Sequence, residues 1–198
     1  CCRPEAGNIA MIGVLGLQGD FEAHGKKLEQ AGSDTQIVKK PEQLDLLDGL
    51  IIPGGESTTL IKLMDLYEFW EPLRTFAVQG KPILGTCAGM ILLAREVLNP
   101  SQKSLGLIDV AVERNSYGRQ RESFEATGRF IAKGHATELE MIFIRAPRIH
   151  RLGTGVDALA FYEDDCVLAR QGHILVASFH PELTGNLSVH RYFLDMTL

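Results

Sequence analysis

Three short stretches carry residue types that could do chemistry together. The first is KPILGTCAGMILLA, residues 81–94, where a small-residue turn containing Cys87 separates two apolar runs. A strand–turn–helix pattern with Gly85 and Gly89 flanking the cysteine suits a nucleophile elbow. The tight turn leaves no room for larger side chains, and the following helix packs close. Such an elbow presents its side chain at the carboxyl end of the sheet and at a helix N-terminus, where the dipole favours a thiolate. An isolated cysteine among apolar residues is also a common core residue, so its partners must decide between the two readings.

The second stretch is SFHPEL, residues 178–183. His180 follows the strand-like ILVASF, and Glu182 lies where the strand period of two returns a side chain to the same face. A base and the carboxylate that fixes its tautomer can therefore come from one tripeptide. Pro181 between them has a fixed φ and no N–H, which suits a strand terminus. The third stretch is PGGEST, residues 53–58, whose glycine pair can turn backbone N–H groups toward a developing oxyanion. Gly55 and Ala88 would be the two donors. Taken singly, His180 also reads as a capped core histidine and the glycine pair as an ordinary strand-to-helix turn. The meeting of Cys87 with His180 is thus an expectation about the fold.

The elements that must position these groups alternate through the first half of the chain. IGVLGL (12–17), TQIVKK (35–40), LIIPGG (50–55) and PILGT (82–86) read as strands. FEAHGKKLEQAG (21–32), STTLIKLMDLYEFWEPL (57–73) and MILLAREVL (90–98) read as helices, the first closed by Gly32. That alternation predicts βαβ units and a parallel sheet. From residue 105 onward LGLIDVAVE, SFEATGRFIA, MIFIRA, DALAFYE, CVLARQ and HILVASF are strand-like and predict an antiparallel addition to the sheet, before a final helix at LSVHRYFLDM (187–196). With no internal repeat or linker, residues 11–198 are expected to form one domain, and residues 1–10 a leader or disordered extension.

Bulk properties narrow the function classes. Net charge is −5 with 23% charged residues, so nucleic acid is disfavoured as a partner. No window approaches the roughly 18 apolar residues of a membrane span, and CCRPEAGN lacks the apolar region of a signal peptide, so a cytoplasmic location is expected. Cys1, Cys2, Cys87 and Cys166 are too scattered for a disulfide framework. His24, His135, His150, His173 and His190 show no ligand spacing, so no metal is assigned.

Together GTCAG, SFHPE and PGGEST resemble the class I glutamine amidotransferase domains, whose Cys-His-Glu triads hydrolyse glutamine. The chain is similar in particular to the branch that serves as glutaminase subunits of pyridoxal 5′-phosphate synthase. The likeness runs from about Ile12 to the C-terminus through GVLGLQGDFEAH, LIIPGGESTTL, GTCAGMILLA, VERNSYGRQRESFEA, FIRAP and SFHPEL. RNSYGRQ and FIRAP are not general amidotransferase features and weigh against the glutaminase of imidazole glycerol phosphate synthase. The HPE element weighs against a DJ-1-type cysteine protein, and the intact triad against a vestigial binding subunit.

The resemblance implies a three-layer α/β fold with an open, mostly parallel sheet. It implies Cys87 as nucleophile, His180 as acid and base, and Glu182 as its orienter. Gly55, Glu56 and Ser57 match the family's glutamine-binding turn, Arg114 its substrate arginine, and Ile144 with Arg145 the pair completing the pocket. L-glutamine would be the substrate, no cofactor is implied, and the ammonia acceptor would be a separate synthase subunit in a hetero-oligomer. Gln18 and Gly19 end the first strand at the same sheet edge, and their turn with the following helix is expected to face that partner.

Overall fold

The computed structural model describes residues 9–114 and 123–197. Most of the expected leader and most of RNSYGRQ lie outside the described residues. In chain order the first half gives β1 (Met11–Leu15), α1 (Phe21–Gln30), β2 (Asp34–Val38), a 3₁₀ turn (Pro41–Leu46), β3 (Gly49–Ile52), α2 (Ser57–Leu66), α3 (Trp70–Val78), β4 (Ile83–Thr86) and α4 (Ala88–Leu93). The second half gives β5 (Ala94–Leu98), β6 (Ile108–Glu113), β7 (Ser123–Ala132), β8 (His135–Ile144), β9 (Arg148–Leu152), β10 (Asp157–Tyr162), β11 (Asp165–Gln171), β12 (Ile174–Ala177), a 3₁₀ turn (Pro181–Leu183) and α5 (Ser188–Asp195).

Among the described residues the main sheet runs β2-β1-β3-β4-β12-β11-β10-β7-β8. Pairing is parallel from β2 through to β12 and antiparallel from there to β8. The alternation predicts the parallel run through β4, whereas β12, expected in the antiparallel addition, pairs parallel with β4 and antiparallel with β11. The middle strands β3, β4 and β12 are buried at every position, which their uninterrupted apolar runs require in a sheet covered on both faces. Successive residues point to opposite faces. Ile12, Val14, Ile51 and Leu84 therefore pack with Leu28 of α1 and Val189 and Phe193 of α5. Leu15, Leu50, Ile52 and Ile83 pack with Leu60, Met64, Leu73 and Phe76 of α2 and α3 and with Leu93 of α4. Each fully buried aliphatic side chain of this kind contributes about 1.5–3 kcal/mol.

Two expected elements differ. The single helix over 57–73 is two helices. Tyr67 caps α2, Glu68 enters the left-handed region at φ 57, and Phe69 is fully buried. Burying that phenylalanine turns the chain, and Trp70 Nε1 then donates to Asp65 Oδ1 at 2.7 Å across the break. The helix expected over 90–98 starts earlier and stops at Leu93, because AREVL forms β5 beside β6. Its end is satisfied from outside: Leu105 N–H donates to Leu92 C=O at 2.7 Å and Leu107 N–H to Leu93 C=O at 2.9 Å. Strands β5, β6 and β9 make a separate three-stranded sheet, absent from the sequence reading. Strand β9, RIHRL, has one buried residue in five, so no apolar alternation announces it.

Helix α4 lies hard against the sheet. A Cβ on Gly89 would stand 2.1 Å from Ile52 O, and one on Gly85 would stand 2.6 Å from the Gly89 carbonyl carbon. In α1, by contrast, a Cβ on Gly25 would meet nothing nearer than Thr35 Oγ1 at 4.0 Å. Gly89→Ala should therefore lower stability by about 2 kcal/mol or more, since backbone must move, while Gly25→Ala should raise it by about 0.5–1 kcal/mol. Urea unfolding midpoints of the two variants check both signs.

Candidate active site

Strand β1 has β2 on one side and β3 on the other, the reversal that opens a crevice at the carboxyl edge of an α/β sheet. Cys87 follows β4 at that edge as the N-cap of α4. Its backbone sits at φ 48, ψ −102, in the region that disfavours side chains, at a cost of about 1–3 kcal/mol. Two contacts hold it there: Cys87 N–H donates to Ala177 C=O at 2.8 Å, and Ile91 N–H donates to Cys87 C=O at 3.2 Å. The elbow is thus pinned by the last residue of β12.

His180 lies three residues past the end of β12, its N–H donating to Ile142 C=O of β8 at 2.8 Å. Its ring Nδ1 stands 2.7 Å from Glu182 Oε1. The two side chains meet because residues 181–183 form a 3₁₀ turn, and not through the extended period of two that the sequence suggested. Both are buried, Glu182 to 3% exposure. Burial alone would depress the His180 pKa, but hydrogen bonds to Cys87 and Glu182, and the charge of Glu182, outweigh it and raise the value to about 10. Burial pushes the Glu182 carboxyl up, yet His24 and His180 beside it hold it below the usual range. A glycine is required opposite: a Cβ on Gly54 would stand 2.4 Å from His180 Cε1 and 3.2 Å from Cys87 Cβ.

Cys87 and His180 line one hollow of about 330 Å³. Gly55, Glu56 and Ser57 form one wall, Arg114, Ile144 and Arg145 another, and Ile91 closes it. All six residues matched to substrate binding therefore border the same space as Cys87. Ala88, at the first position of α4, is buried beside it, and Glu182 lies behind His180. Glu56 turns its carboxylate back to cap α2, accepting from Thr58 N–H at 3.0 Å and Thr59 N–H at 2.7 Å. Those bonds, led by the one from the Thr58 hydroxyl, take its pKa down to about 2. Arg114 stands 3.7 Å from Glu56 Oε1. Gln18, at the end of the first turn, accepts from Glu56 N–H at 3.1 Å and so braces the glycine turn.

Burial pushes the Cys166 thiol up to about 11, consistent with a core role. Two further histidines stand behind Glu182. His24 Nε2 is 3.2 Å from Glu182 Oε2, and His24 Nδ1 is 3.0 Å from His190 Nε2. Metal-ligand spacing does not single them out. The signal that could have found them is a histidine sharing the buried face of α1 with Leu28. Among the described residues no group of three or more His, Cys, Asp or Glu side chains could hold a metal ion, and no helix is long and apolar enough to cross a membrane.

The model of the SNO glutamine amidotransferase family matches residues 14–198. The chain is 54% identical over 188 residues to the pyridoxal 5′-phosphate synthase subunit PdxT of Anoxybacillus flavithermus, with 95% of this chain and 97% of that one covered. It is 53% identical over 185 residues to PdxT of Thermosipho africanus, covering 93% and 97%. A crystal structure of a glutamine amidotransferase superposes with a TM-score of 0.88 at 46% identity, over 94% of this chain and 98% of that chain. PurLQS from Thermotoga maritima shares the fold at 16% identity and a TM-score of 0.69, over 96% of each chain.

Because Glu182 helps raise the His180 pKa, removing its charge must lower it. A ¹⁵N-histidine NMR titration should place His180 near 10 in the wild type and bring it down toward the ordinary 6.5 in Glu182→Gln. The folded-state stability that His180 contributes is complete below 6.5 and is lost as pH rises through about 10, a window that should shrink in the variant.

Proposed function

The chain belongs to the SNO glutamine amidotransferase family, and from that premise we propose that it hydrolyses glutamine to glutamate and ammonia with Cys87, His180 and Glu182. The ammonia goes to a separate pyridoxal 5′-phosphate synthase subunit, for vitamin B6 synthesis. The observation that carries the reading is the convergence of three distant segments: His180 Nδ1 lies 2.7 Å from Glu182 Oε1, and its ring shares one hollow with the strained Cys87 and the glycine turn. The main sheet draws on strands from β1 to β12, which supports residues 11–198 as one glutaminase domain. Free Cys87 and Cys166 suit a reducing compartment, and we place the protein in the cytoplasm.

The reaction is acyl transfer in two stages. The Cys87 thiolate attacks the side-chain amide carbon of glutamine, an S–C bond forms, and the carbonyl electron pair moves onto oxygen. The N–H groups of Gly55 and Ala88 stabilise that oxyanion. When the tetrahedral adduct collapses, the C–N bond breaks and the His180 imidazolium delivers its proton to nitrogen, releasing ammonia. His180, now neutral, takes a proton from water, the resulting hydroxide attacks the thioester carbon, and the C–S bond breaks to give glutamate. A His180 pKa of about 10 keeps the acid loaded at neutral pH for the first stage.

Arg114 binds the substrate α-carboxylate. Its contact with Glu56 at 3.7 Å is loose, and a bidentate carboxylate would replace it with a charge-assisted fork. Glu56 itself stays engaged in capping α2.

Ammonia release from glutamine, measured for the chain mixed with its synthase subunit, tests the assignment. Cys87→Ala should abolish release, and a variant as active as the wild type overturns the reading. Arg114→Met should raise KM about 10–100-fold with kcat changed less than about threefold, the loss of one charge-assisted contact made equally in ground and transition states.

A further inference from the structure

His24 of α1 and His190 of α5 are fully buried, and the two-stage reaction uses neither. Glu182 spans two imidazoles: Oε1 meets His180 Nδ1 at 2.7 Å, and Oε2 meets His24 Nε2 at 3.2 Å. Among the described residues Oε2 accepts no well-directed hydrogen bond, so the His24 ring nitrogen is its electrostatic support. The same Nε2 is 3.3 Å from Thr86 Oγ1, on the residue before the nucleophile.

The proton arrangement follows from counting donors. An ionised carboxylate only accepts, so the His24 nitrogen facing it must carry the hydrogen. Nδ1 of His24 then bears a lone pair and accepts from His190 Nε2–H at 3.0 Å. In this arrangement the His190 Nδ1 lone pair is left without a partner. The opposite arrangement has two faults. It sets a His24 lone pair against the carboxylate, and it moves the His190 hydrogen to Nδ1, a buried donor with no partner, which forfeits the full desolvation of that group.

We propose that His24 is a positioning residue for glutamine hydrolysis: its Nε2–H, 3.2 Å from Glu182 Oε2, supports that oxygen electrostatically so that Oε1 stays on His180, and His190 Nε2–H fixes the His24 tautomer that can do so. The proposal rests on the glutaminase reading of the triad. Burial lowers the pKa of both rings, that of His190 to about 3, so the clamp is neutral. Neutrality matters, because a cationic His24 would offset the charge that Glu182 must present to His180. The clamp also ties the first and last helices to the triad, which explains the histidine of the GLQGDFEAH motif.

Glutamine hydrolysis in complex with the synthase subunit, normalised to the Cys87 thiol that iodoacetamide can alkylate, tests the role. His24→Phe, which keeps a ring in the cavity and removes the donor, should lose about tenfold or more in kcat with KM within about twofold. His24→Gln, whose amide can still donate, should recover to within about threefold of the wild type. Unchanged kcat per alkylatable Cys87 in His24→Phe, or no recovery in His24→Gln, overturns the proposal. A second readout needs neither turnover nor a variant: ¹⁵N-histidine spectra of the wild-type chain at neutral pH should show Nε2–H, with bare Nδ1, at both His24 and His190. An Nδ1–H or doubly protonated His24 sinks the clamp. A wild type silent on glutamine with every synthase partner sinks the glutaminase reading instead, while the tautomers still decide the clamp geometry.

Discussion

The site depends on one pairing, the parallel ladder between β4 and β12, in the register Thr86 to Ala177. The next hydrogen bond beyond that ladder, from Cys87 N–H to Ala177 C=O, is what stops the strand and starts the elbow. Because strand side chains alternate in direction, a slip of one residue would reverse every face of β12. His180 would leave the nucleophile, and Ile174 and Val176 would exchange cores with Leu175 and Ala177. Hydrophobic sorting between the two faces therefore fixes the spacing of Cys87 and His180. The intervening excursion through β5 to β11 brings β12 back beside β4, and β8 receives His180 N–H on the way.

Close packing at the elbow follows from the same requirement. Cys87 must protrude between two backbones, so its own φ is forced positive and its neighbours shrink to Gly85, Ala88 and Gly89. Strain of this kind persists only where surrounding structure over-determines it. Here the surroundings are α4, buried at all six positions, and β12. Gly54 plays the matching role across the crevice, leaving the space that His180 and Cys87 fill. Nucleophile, base and glycine turn are thus parts of one steric solution.

Much of this was legible in the sequence because Cys87 and His180 follow strands whose apolar runs are unmistakable. GTCAG and SFHPEL advertise their turns by residue type, and the alternation through residue 86 yields the parallel half of the sheet. Elements defined by tertiary partners were not legible. AREVL continues a helical pattern locally and becomes β5 only because β6 lies beside it. The break at Glu68 follows from burying Phe69, which helical spacing alone cannot reveal. His24 and His190 lie on helices at opposite ends of the chain, and only the sheet face that both helices cover brings their rings to 3.0 Å. Periodicity shows that such residues face inward but not which buried group they meet.

Electrostatics completes the logic of the site. A unit charge pair about 4 Å apart interacts by about 4 kcal/mol at an effective dielectric of about 20, enough to move a pKa by about three. That is the scale of the rise of His180 from 6.5 to about 10. Against burial, the hydrogen bond to Cys87 leads that rise and Glu182 adds to it, the latter by staying ionised at 3% exposure, where a lone buried carboxylate would instead take up a proton. Neutral donors behind it solve the problem, since they solvate the anion without cancelling it. Arg114 and Arg145 line the same hollow and bring positive charge to the space that Cys87 and His180 share.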